Sequence, residues 1–281
     1  MVKFNNNSEP ISNDIEKYII SIINKSPPLS YDYITDDELL VIINKVNKKF
    51  NSFLITDYNK KIILSIRSSF MKNYMIINYK NIFKNSKNII NDYNNNINII
   101  DLCTKYDISP LNILRYIFDN KYNVKLTKII KNKNNNNIDK YDLKQLELAI
   151  KHDAFALIDQ TEIHKNSLDF EKQIQKFLIN NNIKFKTQDQ LTIEQIKLYG
   201  KAVNTPDFLI KSDLFIDNFK INWIDAKNFY GADIKFIKKS IDKQIQKYIN
   251  NYGSGAIIFS LSFNDKLHFD NIVLLDKNIY I

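Results

Sequence analysis

Thr205-Pro206-Asp207-Phe208-Leu209-Ile210 and Ile221-Asn222-Trp223-Ile224-Asp225-Ala226-Lys227 decide how this 281-residue chain is read, with seventeen residues between the aspartates Asp207 and Asp225. Both segments carry short apolar runs that predict adjacent β-strands. On a strand, residues two apart share a face, so Asp225 and Lys227 project together while Ala226 turns away. The neighbouring strand sets Asp207 beside them. Two carboxylates can share a hard divalent cation such as Mg²⁺ or Mn²⁺, which takes oxygen ligands and retains several waters. Such a cation offsets charge on a phosphate and acidifies a bound water. A lysine is a compact, mobile cation suited to orienting that water. The pattern points to metal-dependent phosphodiester hydrolysis.

Composition sets how much weight each piece carries. With 31 acids and 38 lysines, about four acid-x-Lys triplets are expected by chance. Four occur: Asp119/Lys121, Asp142/Lys144, Asp225/Lys227 and Asp233/Lys235. The triplet alone is therefore uninformative. Pro-Asp occurs once, and only Asp225/Lys227 follows it at a strand–turn–strand distance. Upstream, Leu168, Glu171, Ile174 and Leu178 recur at helical spacing, which puts Glu171 on the apolar stripe, either as its frayed edge or as an acid aimed at the sheet. Downstream, Ile234, Ile237, Ile241, Ile245 and Tyr248 predict a second amphipathic helix ended by Tyr252-Gly253-Ser254-Gly255. Gln244 and Tyr248, four apart, share one of its faces.

The second half thus predicts a helix over 166–180, strands over 183–187, 207–211 and 220–227, a helix over 233–251 and a strand over 255–262. A last strand is expected through Val273-Leu274-Leu275. The interval 188–204, too long for a tight hairpin, predicts a helix from Ile193 to Tyr199. The fold class is α/β with an αβββαβ core in 151–281, preceded by an all-α region in 1–150.

Taken together, Phe170-Glu171, Asp189-Gln190-Leu191, Thr205-Pro206-Asp207-Phe208, Trp223-Ile224-Asp225-Ala226-Lys227 with Gly231, Gln244 and Tyr248, and Gly253-Ser254-Gly255 resemble the TPD-motif family of PD-(D/E)XK nucleases. The resemblance covers residues 168–263, about a third of the chain. It implies a restriction-endonuclease-like core and a nuclease cutting nucleic acid, most simply DNA. Asp207, Asp225, the Ala226 carbonyl and Glu171 would bind metal, with Lys227 at the nucleophile and Gln244 and Tyr248 in support. It also implies a codanin-like protein partner. Eukaryotic members usually carry Glu-Ser-Lys where this chain has Asp225-Ala226-Lys227; the PD-(D/E)XK motif accepts either acid. The rival reading is a catalytically silent adaptor that keeps the nuclease fold and binds a protein or DNA.

The remaining composition narrows the classes. One cysteine, Cys103, excludes a disulfide framework and a thiolate zinc site. His152, His164 and His268 form no metal-ligand spacing. Four glycines exclude a P-loop or dinucleotide fingerprint. No apolar run reaches membrane-spanning length, so a nuclear or cytoplasmic protein is the expectation. Asn, Ile and Lys dominate, a sign of AT-rich coding, and Asn134–Asn137 reads as a polar loop. Residues 58–133 nevertheless hold 14 bases against 4 acids, which suits a polyanion partner.

Within that stretch, 97–119 resembles a helix-turn-helix. Leu102, Cys103, Tyr106, Ile108, Ile113 and Tyr116 would be buried, Ser109 would cap the second helix and Pro110 open it. Asn112 and Arg115 would then face outward to read DNA. Asp107 stands where such a turn usually wants glycine. A helix-turn-helix regulator with an appended α/β domain is a third reading. Helices are further expected over 10–24, 36–50 and 60–72, joined through Pro27-Pro28.

Overall fold

The computed structural model describes residues 1–23, 31–51, 53–131, 138–155 and 160–280. Pro27-Pro28 and Asn134–Asn137 lie outside them. Strand β1 (Val2–Phe4) comes first, then helices α1 (Asn13–Ile23), α2 (Asp36–Phe50) and α3 (Asp57–Asn78). Helices α4 (Lys80–Lys84), α5 (Ser86–Asn94), α6 (Ile99–Tyr106), α7 (Pro110–Tyr122), α8 (Leu126–Lys131) and α9 (Lys140–Lys151) follow. The remainder runs α10 (Gln160–Asn180), β2 (Phe185–Thr187), α11 (Gln188–Tyr199), β3 (Phe208–Ile216), β4 (Phe219–Lys227), α12 (Lys235–Tyr252), β5 (Gly255–Phe259) and β6 (Ile272–Asp276). The fold is mixed α/β.

The chain divides into two compact units, Met1–Ile19 with Ile43–Ser69 and Gln160–Ile281, and Ile20–Ile42 with Phe70–Asp159. A division near residue 150 is not what the structure draws, and the first 150 residues are not all helical. The reason lies in backbone pairing. Val2–Phe4 runs parallel to Leu214–Ile216 as an added strand. Ile11 N–H donates to Phe263 O at 2.8 Å, and Tyr230 N–H donates to Ser65 Oγ at 2.9 Å.

In the sheet, the order is β1-β3-β4-β5-β6, with β2 also paired to β3. Strand β3 carries β2 against its first residues, antiparallel, and β1 against its last, parallel. β3 and β4 are antiparallel, whereas β4, β5 and β6 are mutually parallel. Side chains alternate between two apolar layers. Phe208, Ile210, Ile224, Ala256 and Ile258 pack with Phe170, Ile174 and Leu178 of α10. Leu209, Trp223, Ile257 and Phe259 pack with Ile241, Ile245 and Tyr248 of α12. The stripe of α10 runs through Phe170 rather than Leu168, which is exposed.

The glycines flanking α12 have steric causes. A Cβ on Gly255 would lie 2.2 Å from the Trp223 ring, and one on Gly231 would lie 2.8 Å from Phe263 Cβ. Gly253 ends α12 at φ +79°, where a side chain would be strained.

The second unit is built on α6, α7 and α9 around Leu102, Ile113, Leu114, Ile117, Phe118 and Leu146. Here the helix-turn-helix expectation fails in its functional part. Leu102, Cys103, Ile108 and Ile113 are buried as expected. But Asn112 is buried too, at 8 % exposure, and Arg115 is half-buried and spends a guanidinium N–H on Asn112 Oδ1 at 2.8 Å. Helix α7 is packed over most of its circumference, so no outward recognition face is formed by these two residues. Pro110 does open α7, but Ser109 Oγ makes no capping bond. Asp153 Oδ2 caps instead, accepting from Leu111 N–H at 3.1 Å. Asp107 takes the left-handed turn at φ 52°, with its carboxylate accepting from Tyr74 Oη and from Asn78 Nδ2.

Candidate active site

Strand alternation gathers the site. Leu209 and Trp223 point to the α12 layer, so Asp207, Asp225 and Lys227, each an even number of residues away, point the same way. Strand β3 begins at Phe208, opposite Ile224, which leaves β4 running three residues past its antiparallel partner. The Asp207 carboxylate takes up the ladder there: its Oδ2 accepts from Ala226 N–H at 2.7 Å. The Lys227 carbonyl accepts from Ser260 N–H on the β5 side. By strand alternation the Ala226 carbonyl is therefore directed to the Asp207 side.

A hydrogen-bond chain fixes the lysine. Its ammonium lies 2.6 Å from Asp225 Oδ2 and donates to Gln244 Oε1 at 2.8 Å. Gln244 Nε2 donates to Asp225 Oδ1 at 3.2 Å and lies 3.0 Å from Tyr248 Oη. Tyr248 Oη in turn lies 3.4 Å from the Thr205 carbonyl, and its ring meets Trp223 edge-on at 5.1 Å. Of the two α12 residues that the family resemblance singled out, Gln244 thus touches the triplet directly and Tyr248 touches it through Gln244.

Electrostatically the pair of aspartates is strained. Asp225 is 1 % exposed. Burial, followed by the Asp225 charge, drives the Asp207 carboxyl well above its ordinary range. Burial also raises Asp225, against the pull of the Lys227 ammonium. Glu171 is half-buried on α10 and is raised by burial first, then by Asp225, with the His164 charge opposing. Its helix packs on the other layer of the sheet. Among the described residues, no group of three or more His, Cys, Asp or Glu side chains is arranged to hold a metal. The structure brings Asp225, Lys227, Gln244 and Tyr248 into one hydrogen-bonded network, sets Asp207 beside it on the Ala226 N–H, and couples Glu171 to Asp225 through charge.

Would a divalent cation fit? Asp225 Oδ2 is buried with no hydrogen-bond partner beyond the lysine ion pair. Two raised carboxylates side by side gain from a shared positive charge. Asp207, Asp225 and the Ala226 carbonyl are all oxygen donors of the kind a hard cation takes.

A family model described as "Protein of unknown function TPD sequence-motif" matches residues 138–278, half of the chain. The chain belongs to the TPD sequence-motif family. It is also similar to "Uncharacterized protein L539" of Acanthamoeba polyphaga mimivirus, 29% identical over 119 residues, or 41% of this chain. The chain spans 42% of that relative's length. No solved structure matches the chain.

In this TPD-motif protein, the motif loop is held by residues the sequence did not single out. Gln195 Oε1 accepts from Val203 N–H at 2.7 Å and Asn204 N–H at 2.9 Å, and its Nε2 donates to Asn204 O at 2.6 Å. Asn204 Nδ2 donates to Lys247 O at 2.6 Å, and Tyr252 Oη donates to Asn204 O at 2.8 Å. Gln188 N–H donates to Asp207 O at 3.0 Å. Gln195 and Asn204 had no signal beyond ordinary polarity; both are buried, which only the packing of α11 against α12 decides.

Proposed function

We propose that this TPD-motif protein is a divalent-metal-dependent nuclease of the PD-(D/E)XK type, hydrolysing phosphodiester bonds of nucleic acid on a restriction-endonuclease-like core. The observation that carries this reading is the joining of Asp207, Asp225 and Lys227 on one face, with Gln244 bridging the acid and the amine. A structural ion pair needs one acid. Here a second, half-buried aspartate stands by the first, and two such carboxylates are both ionised favourably only when they share a cation.

Asp207, Asp225 and the Ala226 carbonyl would hold the cation, which when bound supplies charge neutralisation at the phosphate and a more acidic water. Lys227, held by Gln244, keeps an ammonium at the same end of β4, where it can orient a water or offset developing charge. Tyr248 holds Gln244 in place. Glu171, with its raised carboxyl, suits proton exchange with solvent at the site's edge or a contact through water.

The test is titration calorimetry of Mn²⁺ into the full chain, followed by incubation with labelled DNA. Wild type should bind Mn²⁺ and cut only with metal. Asp207→Ala should lose both with its circular dichroism unchanged. Wild-type metal binding or cutting by Asp207→Ala would overturn the reading.

A further inference from the structure

The flank of the site on α12 carries charge that the chemistry above does not use. Helix α12 holds Lys235, Lys238, Lys239, Lys243 and Lys247 against one acid, Asp242. By contrast, α10 balances Lys165, Lys172 and Lys176 with Glu162, Asp169 and Glu171, and α11 has Asp189 and Glu194 against Lys197. A coding bias toward lysine would load all three helices alike. Helix α3 carries a similar excess, Lys60, Lys61, Arg67 and Lys72 against Asp57, so what sets the α12 lysines apart is where they stand.

Their placement is specific. At 100° per residue, Ser240, Lys243 and Lys247 lie on the flank of α12 next to Gln244, with Phe236 one turn before Ser240. All four are exposed, whereas Ile241 and Ile245 on the opposite flank are buried. Lys238 is drawn to Asp233 at 3.3 Å. Among the described residues, Lys243 and Lys247 have no ion-pair partner. The stripe therefore offers two unpaired ammonium groups and an aromatic ring on the helix whose Gln244 grips Lys227.

Resting on the nuclease reading of the adjacent site, we propose that the Phe236–Lys247 stripe is a track for a single-stranded segment of nucleic acid leading to Asp207 and Asp225. Lys243 and Lys247, about 6 Å apart along the helix, each neutralise a backbone phosphate. Phe236 offers a face for an unpaired base, and stacking on an aromatic side chain tolerates any base. A paired base has its faces already covered by its neighbours, so the ring favours a strand out of its duplex.

The experiment is fluorescence anisotropy of a labelled single strand and of its duplex, with the full chain in EDTA so that no cutting intervenes. Lys243→Ala/Lys247→Ala should weaken strand binding and lower the salt slope by about 1.4, two phosphates at 0.7 each. Phe236→Ala should weaken the single strand about five- to 150-fold and leave the duplex unchanged. Lys220→Ala, an exposed lysine paired with Asp213, should bind as wild type. Matching melting curves establish that each variant is folded. The track is overturned if the double variant keeps wild-type affinity and slope, if Phe236→Ala weakens strand and duplex alike, or if polyglutamate outcompetes the strand. The two proposals separate cleanly. Strand binding of this kind without metal-dependent cutting sinks the nuclease reading alone; cutting with lysine variants that bind normally sinks the track alone.

Discussion

The Lys227 ammonium lies 2.6 Å from Asp225 Oδ2, an oxygen with no hydrogen-bond partner beyond this ion pair. An internal cation thus holds one of the oxygens that a divalent metal would take. A bound metal would compete with the lysine for Asp225, and Gln244 Oε1, at 2.8 Å, would remain an acceptor for the displaced ammonium. The competition yields a prediction that runs against the usual expectation for loss of a site residue.

Lys227→Met should bind Mn²⁺ more tightly than wild type, by about tenfold or more, while losing cutting. The variant removes both a competitor and a like charge from a buried site, where Coulomb effects exceed those in water. Without metal it should melt lower, because an uncompensated buried carboxylate costs up to about 3–5 kcal/mol. Calorimetry decides: equal or weaker Mn²⁺ affinity contradicts the competition.

Asp207→Asn should stabilise the metal-free protein at neutral pH. The folded carboxyl is raised by burial and by Asp225. Its favourable contribution is therefore complete below the unfolded value of 3.8 and is lost as pH rises through the raised folded value. Asparagine keeps an oxygen for Ala226 N–H and carries no charge. Melts at pH 5 and pH 8 without metal should show wild type losing more stability than Asp207→Asn across that interval. Mn²⁺ should restore wild type only. A larger loss in the variant would sink the assignment.

Gly255→Ala should be among the most destabilising small substitutions in the sheet, at about 1–3 kcal/mol or more. The new Cβ would lie 2.2–2.3 Å from ring atoms of Trp223, whose indole N–H is tied to Gly253 O at 2.8 Å. The ring cannot retreat without breaking that bond. Urea denaturation followed by Trp223 fluorescence measures it, and a midpoint equal to wild type would show that the ring moves freely.

Gln244→Ala and Tyr248→Phe should be non-additive. Gln244 bridges Lys227 and Asp225, and Tyr248 Oη contacts that amide at 3.0 Å. Removing Gln244 should lower the cutting rate by about 10- to 100-fold, and adding Tyr248→Phe should change it little further. Independent multiplicative losses would mean that Tyr248 acts elsewhere.

How much of this was legible in the chain depends on which force decides each feature. Apolar periodicity reports burial, so α10, α12 and the strands carrying Asp207 and Asp225 stood out. The helix expected from Ile193 to Tyr199 rested on the length of its interval alone and begins earlier, at Gln188, with Ile193, Ile196, Leu198 and Tyr199 exposed. Four-residue spacing put Gln244 and Tyr248 on a shared face, but only the family resemblance marked them as more than a polar edge and a core tyrosine. Glu171 was legible as an acid on a stripe, yet the layer of the sheet from which it couples to Asp225 was not, because nothing local says which side of the sheet α10 covers. Strand β1 was hidden for a related reason: Val2-Lys3-Phe4 is too short to carry a period, and only the free edge of β3 makes it a strand. Asn112 and Arg115 show the opposite error. The 97–119 pattern correctly gave two helices, but a helix packed on nearly every side has no outer face to read with.

The most direct measurement is incubation of the full chain with end-labelled single-stranded, duplex and flapped DNA and RNA, with Mg²⁺, Mn²⁺ or EDTA, beside Asp225→Ala. The account predicts cutting of at least one substrate by wild type with metal, none in EDTA, and none by the folded Asp225→Ala variant under any condition. Cutting by Asp225→Ala at the wild-type rate, or no cutting of any substrate by a wild-type chain shown to bind Mn²⁺, would contradict it.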